Sequence, residues 1–202
     1  MQDPSGFGFH PARLDRPAQE ALTTQVLAAL EAAPLYRPVT PGGKAMSVQM
    51  SNMGPLGWVT DREGGYRYQA SHPQTRAPWP PISPVLLGLW RDLADPQVPP
   101  DACLVNLYRD GARMSLHQDR DEADFRFPVL SISLGDTAVF RVGGLKRGDA
   151  TRSLKLSSGD VCVLAGEARL FFHGVDRVLE GSSTLIPGGG RINLTLRRAR
   201  PA

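Results

Sequence analysis

The sequence lacks any long apolar run, and this absence argues against one class of protein. A helix needs about 20 consecutive apolar residues to cross a bilayer, and no stretch of the 202 residues approaches that length. The N-terminus also lacks the short apolar stretch of a secretory signal. Hydrophobic and charged contents of 41% and 21% are typical of globular chains. Because the sequence shows neither a membrane span nor a secretory signal, we expect a cytoplasmic protein without a membrane partner.

Cysteine and lysine are both scarce. Cys103 and Cys162 each lie in an apolar run, ACLVNLY and DVCVLAG, a setting typical of buried, reduced thiols, so we expect no disulfide. Lysine supplies only three of the 23 basic residues. The net charge of +3 and the pI near 9.1 suit a polyanionic partner without requiring one, and a preference for Arg codons explains the arginine excess equally well.

The length is that of one structural domain, and its composition divides it into three segments. Residues 1–16 are rich in Gly and Pro without periodicity, which predicts a flexible lead-in. Residues 17–100 predict helices over 17–33 and 84–93, each with an apolar stripe for packing. Between these helices lie two short strand candidates, AMSVQM and YRYQ.

The third segment, residues 101–202, consists of short alternating runs separated by Gly or Asp turns. It predicts eight strands: ACLVNLY, RMSLHQD, PVLSISL, TAVFRV, SLKLSS, DVCVLAG, ARLFFHGV and RINLTLR. No helical pattern lies between them to make parallel crossovers, so antiparallel pairing is expected. The sequence therefore predicts a mainly β (α+β) protein with a jelly-roll core, on which the N-terminal helices pack.

His117 and Asp119 stand two residues apart in SLHQD, so on a strand they point to the same side. His173 in RLFFHGV could join them where a jelly roll brings distant strands together. Two imidazoles and a carboxylate leave coordination positions open, which suits Fe(II) and oxygen chemistry, whereas zinc more often takes Cys-rich sites. The motif alone is weak, because chance supplies H-x-D in about one such chain in five. A surface turn or a satisfied core histidine is the competing interpretation.

The last predicted strand, RINLTLR, carries polar residues on one face: Arg191, Asn193, Thr195 and Arg197. If this face points into a barrel, the two arginines need anionic partners to offset their desolvation, and a dicarboxylate supplies them. A strand edge that faces solvent explains the same alternation. Asn106 and Tyr108, also two residues apart, could hydrogen-bond the same ligand.

These motifs, with four longer segments, resemble the AlkB family of nucleic-acid dealkylating dioxygenases. The motifs are HQD at 117–119, the late His173 and the R-x-N-x-T-x-R strand. The segments are VTPGGKAMSVQM, LGWVTDREGGYRY, PDACLVNLYRDGARMSLHQDRDE and GGLKRGD. The resemblance covers residues 36–197 and implies a double-stranded β-helix (jelly roll) under a nucleotide-recognition lid. It also implies Fe(II) as cofactor, with 2-oxoglutarate and O2 as co-substrates.

The resemblance also implies which residues form each part of the site. The implied iron ligands are His117, Asp119 and His173. The implied 2-oxoglutarate residues are Asn106, Tyr108, Arg191, Asn193 and Arg197, with Arg191 beside the metal and Arg197 on the far carboxylate. The implied base pocket comprises Met50, Trp58, Tyr66, Tyr68, Asp121, Glu122 and Arg147. The segment EGGY at 63–66 contains one glycine more than the matching segment of the bacterial enzyme of this family, which lengthens the lid by one residue.

The implied function is oxidative dealkylation of N-alkylated bases such as 1-methyladenine and 3-methylcytosine, with release of formaldehyde. This reaction is a direct-reversal repair of alkylation damage. We expect a monomer that prefers single-stranded DNA, with RNA and duplex DNA left open as substrates. Two alternatives stay open at this point. One is a 2-oxoglutarate dioxygenase that hydroxylates a protein or a small molecule, and the other is a jelly-roll binding protein without turnover.

Overall fold

The computed structural model of the chain describes residues 3–201. In these residues helix α1 spans Arg16–Ala32 and helix α2 spans Pro84–Leu93. The strands of the first half are β1 Phe7–His10, β2 Gln49–Met53, β3 Gly57–Asp61, β4 Gly65–Gln69 and β5 Ala102–Tyr108. Those of the second half are β6 Met114–His117, β7 Val129–Gly135, β8 Thr137–Val142, β9 Arg152–Leu156, β10 Val161–Leu164, β11 His173–Leu179 and β12 Arg191–Arg197.

Two antiparallel sheets form the jelly roll that the sequence predicts, and this prediction is confirmed. The larger sheet has the order β1-β10-β7-β12-β5-β2, and the smaller one has the order β6-β11-β8-β9. Strands β3 and β4 form a separate hairpin, here called the lid hairpin. Strand β12 lies between β7 and β5, and all seven of its residues are buried. Side chains on both faces of β12 therefore lie inside the protein.

The two helices cover one face of the larger sheet. Helix α1 begins where the Asp15 carboxylate accepts a hydrogen bond from the N–H of Ala18, 3.0 Å away, and α2 begins at the N-cap Ser83. The apolar stripes of α1 and α2 pack on the apolar face of β12 in one core cluster, whose members include Leu22, Val26, Leu86, Leu89, Ile192, Leu194 and Leu196. The predicted helices and their packing role are confirmed, with the start and end of α1 each one residue earlier.

The N-terminal lead-in is partly structured, which corrects the flexible segment predicted over 1–16. Residues 7–10 form β1, which pairs with β10 at the edge of the larger sheet. Phe7 is buried against Cys162, Leu164 and Ala168. Because β1 and β2 hydrogen-bond into the larger sheet, the predicted boundary at residue 101 does not separate independent units.

Two other strand predictions are corrected. In ARLFFHGV only the end is a strand, because residues 166–170 form a 3-10 turn and β11 starts at His173. Residue Gly166 has a φ of +52°, which turns the chain there. The strand predicted at AMSVQM begins later, at Gln49, and extends to Met53.

Both cysteines are free and buried, so the prediction of reduced thiols is confirmed. Neither helix in residues 3–201 is long and apolar enough to cross a membrane.

Replacement of Phe7 tests whether β1 is part of the folded core. Phe7→Ala removes a buried aromatic ring and should lower the free energy of unfolding by about 3 kcal/mol, measured by urea denaturation. Phe125→Ala is the matched control, because that ring is exposed and its loss should cost about 1 kcal/mol or less. Equal losses for both variants would contradict the placement of β1.

Candidate metal centre and cavity

Three predicted metal ligands converge at one end of the smaller sheet. His117 ends β6 and His173 begins β11, and the two are directly paired across the strands. Asp119 follows two residues after His117, and the possible ligand atoms of all three residues lie within 4.8 Å of one another. The structure therefore brings together two imidazoles and a carboxylate that lie up to 56 residues apart in the sequence.

Close approach of the two strands depends on Gly174. A Cβ atom at this position would lie 2.5 Å from the carbonyl oxygen of Met114, a distance that side chains do not tolerate. The pairing also shifts between His173 and Val175, so that one extra residue of β6 lies opposite this part of β11. The shift ends the regular ladder beside the predicted ligands.

Both histidines are oriented by backbone carbonyl groups. Nδ1 of His117 lies 2.9 Å from the oxygen of Ser115, and Nδ1 of His173 lies 2.9 Å from the oxygen of Phe171. A carbonyl oxygen only accepts, so each Nδ1 carries the proton and each Nε2 presents a lone pair. Burial lowers the pKa of His173 to about 4, helped by the nearby imidazole of His117. His173 is therefore neutral near pH 7, as a metal ligand must be.

Asp119 is held as a carboxylate. Burial alone would raise its pKa, but Arg197 and the two imidazoles lower it below the ordinary value. Arg197 Nη2 donates to Asp119 Oδ1 at 2.7 Å, whereas Asp119 Oδ2 is buried without a hydrogen-bond partner within residues 3–201. Oδ2 lies 3.7 Å from Nε2 of His173, and Oδ1 lies 3.7 Å from Nε2 of His117. A buried carboxylate with an unpartnered oxygen beside two imidazoles fits a divalent cation, so these three residues suit Fe(II).

A cavity of about 470 Å³ lies between the two sheets and reaches the predicted ligands. The predicted co-substrate residues all line it: Asn106, Tyr108, Arg191, Asn193 and Arg197. Strand pairing places Asn193 opposite Asn106 and Arg191 opposite Tyr108. The polar face of β12 therefore points inward, and the competing interpretation of a solvent-facing strand edge is wrong.

The two arginines of β12 differ in how their charges are balanced. Arg197 pairs with Asp119, but within residues 3–201 Arg191 forms no salt bridge, although it is almost fully buried. Arg191 donates to the oxygen of Leu156 at 3.2 Å and to Ser133 Oγ at 2.8 Å, and its Nε is buried without a partner. Burial lowers the pKa of Arg191. An unbalanced guanidinium at a cavity wall fits an anionic ligand such as the far carboxylate of 2-oxoglutarate.

This geometry favours the reverse of the roles that the resemblance implied for the two arginines. The resemblance implied Arg191 beside the metal and Arg197 on the far carboxylate. In the structure Arg197 lies beside the predicted metal ligand Asp119, whereas Arg191 lies beside Ser133 and Leu156. Which arginine lies nearer Asp119 depends on how β6 sits against β12, and no local sequence pattern contains this.

Five of the seven residues predicted for base binding line the same cavity: Met50, Trp58, Tyr66, Asp121 and Arg147. Trp58 Nε1 donates to Asp121 Oδ2 at 2.7 Å, and the Trp58 and Tyr66 rings stack with centroids 5.7 Å apart and planes 19° apart. The added glycine leaves the hairpin regular, with Trp58 opposite Tyr68. An aromatic surface fixed to a carboxylate therefore stands at the cavity.

Tyr68 and Glu122, the other two residues predicted for base binding, do not line the cavity. Glu122 is buried behind it and pairs with Arg169, and the Tyr68 hydroxyl donates to Glu122. Sequence reasoning missed Arg169, whose only signal is a charge inside the apolar segment ARLFF. It also missed Ser131, which lines the cavity and accepts from Asn193. The i, i+2 spacing of Ser131 and Ser133 in PVLSISL could have indicated it.

Comparison with known proteins shows the family of the chain. A profile of the 2OG-Fe(II) oxygenase superfamily matches residues 6–197. An "Alpha-ketoglutarate-dependent dioxygenase AlkB homolog" of Caulobacter vibrioides is 66% identical over 98% of this chain and 89% of its own length. "Alpha-ketoglutarate-dependent dioxygenase AlkB" of Escherichia coli is 45% identical over 90% of this chain and 85% of its own length. The solved structure of OsALKBH1 superposes with a TM-score of 0.84 at 28% identity, covering 98% of this chain and 99% of that one.

The chain therefore belongs to the 2OG-Fe(II) oxygenase superfamily, and within it to the AlkB alpha-ketoglutarate-dependent dioxygenases. It is an enzyme that uses Fe(II) and 2-oxoglutarate. The prediction of these cofactors from the sequence is confirmed, and the alternative of a binding protein without turnover is set aside.

The difference in charge balance predicts unequal effects of the two arginines on stability. Arg197→Met leaves the Asp119 carboxylate buried and unpaired, so the free energy of unfolding of the ligand-free protein should fall by about 3 kcal/mol or more. Arg191→Met removes a buried unpaired charge and should change it by about 1 kcal/mol or less, measured by urea denaturation without metal or co-substrate. An Arg191→Met loss as large as that of Arg197→Met would contradict this charge assignment.

Proposed function

We propose that this enzyme removes alkyl groups oxidatively from N-alkylated bases in nucleic acid, and so reverses alkylation damage directly. The proposal depends on one observation. The three predicted metal ligands and the Trp58–Asp121 pair line the same cavity. An aromatic ring fixed to a carboxylate suits a planar, positively charged substrate. Bases such as 1-methyladenine and 3-methylcytosine have this shape and charge.

The proposed roles of the metal-site residues follow from the atoms left available. Nε2 of His117, Nε2 of His173 and Asp119 Oδ2 would hold Fe(II), because each lacks a competing donor. Arg197 would keep Asp119 oriented and meet the co-substrate carboxylate nearest the metal. Arg191 would hold the far carboxylate, since its charge is otherwise unbalanced.

Three further residues on β5 and β12 would complete the co-substrate site, namely Asn106, Tyr108 and Asn193. Asn193 is already oriented, because its Nδ2 donates to Ser131 Oγ at 2.8 Å and to the oxygen of Ile132 at 3.1 Å. Asn106 Oδ1 is buried without a partner. Burial raises the pKa of Tyr108 to about 12, so its hydroxyl stays protonated and can donate to a ligand.

When bound, Fe(II) and 2-oxoglutarate supply the oxidant from O2 that hydroxylates the alkyl carbon attached to the base nitrogen, with succinate and carbon dioxide as co-products. For a methyl lesion the resulting hemiaminal breaks its C–N bond and yields formaldehyde and the restored base. The residues of the chain would contribute orientation. Trp58 would stack on the base, and the carboxylate of Asp121 would favour a cationic base over a neutral one.

We further propose that single-stranded DNA is the preferred partner. The base must leave its stack to reach the cavity, and an unpaired base leaves at lower cost. Arg120 and Arg147 line the cavity and would contact phosphates, so binding should weaken with salt. The monomeric state and the cytoplasmic location stay predictions.

The proposed role of Arg191 predicts a loss of discrimination between two ligands. Arg191→Lys should weaken 2-oxoglutarate binding by about 1.5–3 kcal/mol, or about 10- to 150-fold, because lysine lacks the planar fork. Binding of 2-oxovalerate, which has no far carboxylate, should not change. The measurement is anaerobic calorimetry with Mn(II) in place of Fe(II), and equal weakening of both ligands would refute the role.

Loss of the methyl group from defined oligonucleotides tests the proposed reaction. Wild-type protein with Fe(II), ascorbate and 2-oxoglutarate should convert 1-methyladenine and 3-methylcytosine in single strands, followed by mass spectrometry. His117→Ala should lower the rate by more than about 100-fold, because loss of outer-shell partners alone costs about 10- to 100-fold. His10→Ala, a histidine outside the cavity, is the control.

No conversion by wild-type protein that turns over 2-oxoglutarate would refute nucleic acid as the substrate. Such a result would favour the alternative of a dioxygenase that hydroxylates a protein or a small molecule. Comparison of single-stranded, duplex and RNA oligonucleotides in the same assay tests the strand preference. A faster rate on duplex DNA would contradict the argument from base extrusion.

A further inference from the structure

Four charged side chains form a buried cluster behind the predicted metal ligands: Asp119, Glu122, Arg169 and Arg197. Their side chains are between 0% and 8% exposed. Two carboxylates face two guanidinium groups, so the cluster is neutral as a whole. Burial of such a cluster is tolerated only when the charges are paired and hydrogen-bonded.

Glu122 lies at the centre of this cluster. Its Oε2 accepts from Arg169 Nη2 at 2.8 Å, and its Oε1 lies 3.4 Å from Arg197 Nη1. The Tyr68 hydroxyl donates to the same Oε1 at 2.5 Å. Glu122 therefore connects both arginines with a residue of the lid hairpin.

The two arginines in turn hold Asp119 at two places. Arg197 Nη2 donates to Asp119 Oδ1 at 2.7 Å, and Arg169 Nη1 donates to the backbone oxygen of Asp119 at 2.8 Å. The side chain and the main chain of the predicted ligand are thus both fixed. Arg197 donates to Oδ1, whereas Oδ2 has no hydrogen-bond partner within residues 3–201, so Oδ2 is the oxygen with no competing contact for a metal.

Tyr68 extends the same set of contacts to the lid hairpin. Its hydroxyl also accepts from Arg197 Nη1 at 3.2 Å, and in the hairpin Tyr68 lies directly opposite Trp58. The strand that carries the proposed base-stacking residue is therefore attached to the arginine that orients the metal ligand. A change at either end alters the hydrogen bonds of the other.

We propose that Glu122 is a positioning residue that acts at two places. Through Arg197 and Arg169 it keeps Asp119 as a one-oxygen metal ligand, and through Tyr68 it ties the lid hairpin to the metal site. The inference rests on the proposed metal centre. Glu122 and Tyr68 lie outside the cavity. Their proposed role is to couple the lid hairpin to the metal site, and they would not contact the base.

The first test is the Mn(II) affinity of Glu122→Gln. Without the Glu122 charge, Arg197 and Arg169 lose the carboxylate that holds them, and Asp119 is no longer kept in position, so the dissociation constant for Mn(II) should rise about 10- to 100-fold. Asp124→Asn is the matched control, because Asp124 lies in the same loop and pairs only with the exposed Arg126 in the described part of the chain. Its dissociation constant should not change.

Affinity is measured at a temperature where circular dichroism shows the variant to be folded. A purely structural Glu122 would lower the Tm and leave the dissociation constant within about two-fold of wild type, and that outcome would overturn the proposal. Failure of wild-type protein to bind Mn(II), or binding retained by His117→Ala, would instead refute the metal centre. The two failures are therefore distinguishable.

The second test removes the hydroxyl group of Tyr68. It tests the proposal even if Glu122→Gln does not fold. Binding of Mn(II) with 2-oxoglutarate should slow amide hydrogen exchange in residues 57–69 of wild-type protein, and Tyr68→Phe should abolish this slowing. Tyr36→Phe is the control, because the Tyr36 hydroxyl is buried without a hydrogen-bond partner, and it should behave as wild type. Unchanged protection in Tyr68→Phe, or no protection in wild type, would overturn the coupling.

Discussion

Burial of two guanidinium groups on one face of β12 is the constraint on which the rest of the structure depends. Each charge needs a partner inside the protein, and the two arginines solve this differently. The charge of Arg197 is balanced by Asp119 and Glu122, so it needs no ligand to offset its burial. Arg191 has no carboxylate partner within residues 3–201, so its charge is available to an anionic ligand.

The position of β12 explains why the site lies where it does. A strand between β7 and β5, under two helices, has no solvent-facing side, and its polar face can only turn toward the smaller sheet. That sheet brings His117 and His173 together at its edge. The charge that keeps Asp119 ionised thus comes from the same strand whose inward face carries Arg191, the residue proposed to hold the co-substrate.

The lid hairpin is connected to this centre by hydrogen bonds as well as by packing. Trp58 is fixed through Asp121, two residues beyond the predicted ligand Asp119, and Tyr68 is fixed through Glu122. The short segment 119–122 therefore carries both a predicted metal ligand and the carboxylates that fix the lid hairpin. Under the proposed function, this arrangement would make base recognition depend on the geometry of the metal site.

The sequence by itself determined the elements whose pattern is local. The stripes of α1 and α2, the alternation in β5, β8 and β12, and the motifs around His117 and Arg191 all depend on neighbours a few residues apart. Only the tertiary structure decided which arginine contacts Asp119, that residues 7–10 form a strand, and that Glu122 pairs with Arg169 behind the cavity. These features depend on charges and backbone groups that meet across more than 45 residues of chain, for example between Glu122 and Arg169, 47 residues apart. A local sequence pattern does not contain contacts between residues so far apart in the chain. The pairing of buried charges therefore follows only from the tertiary structure.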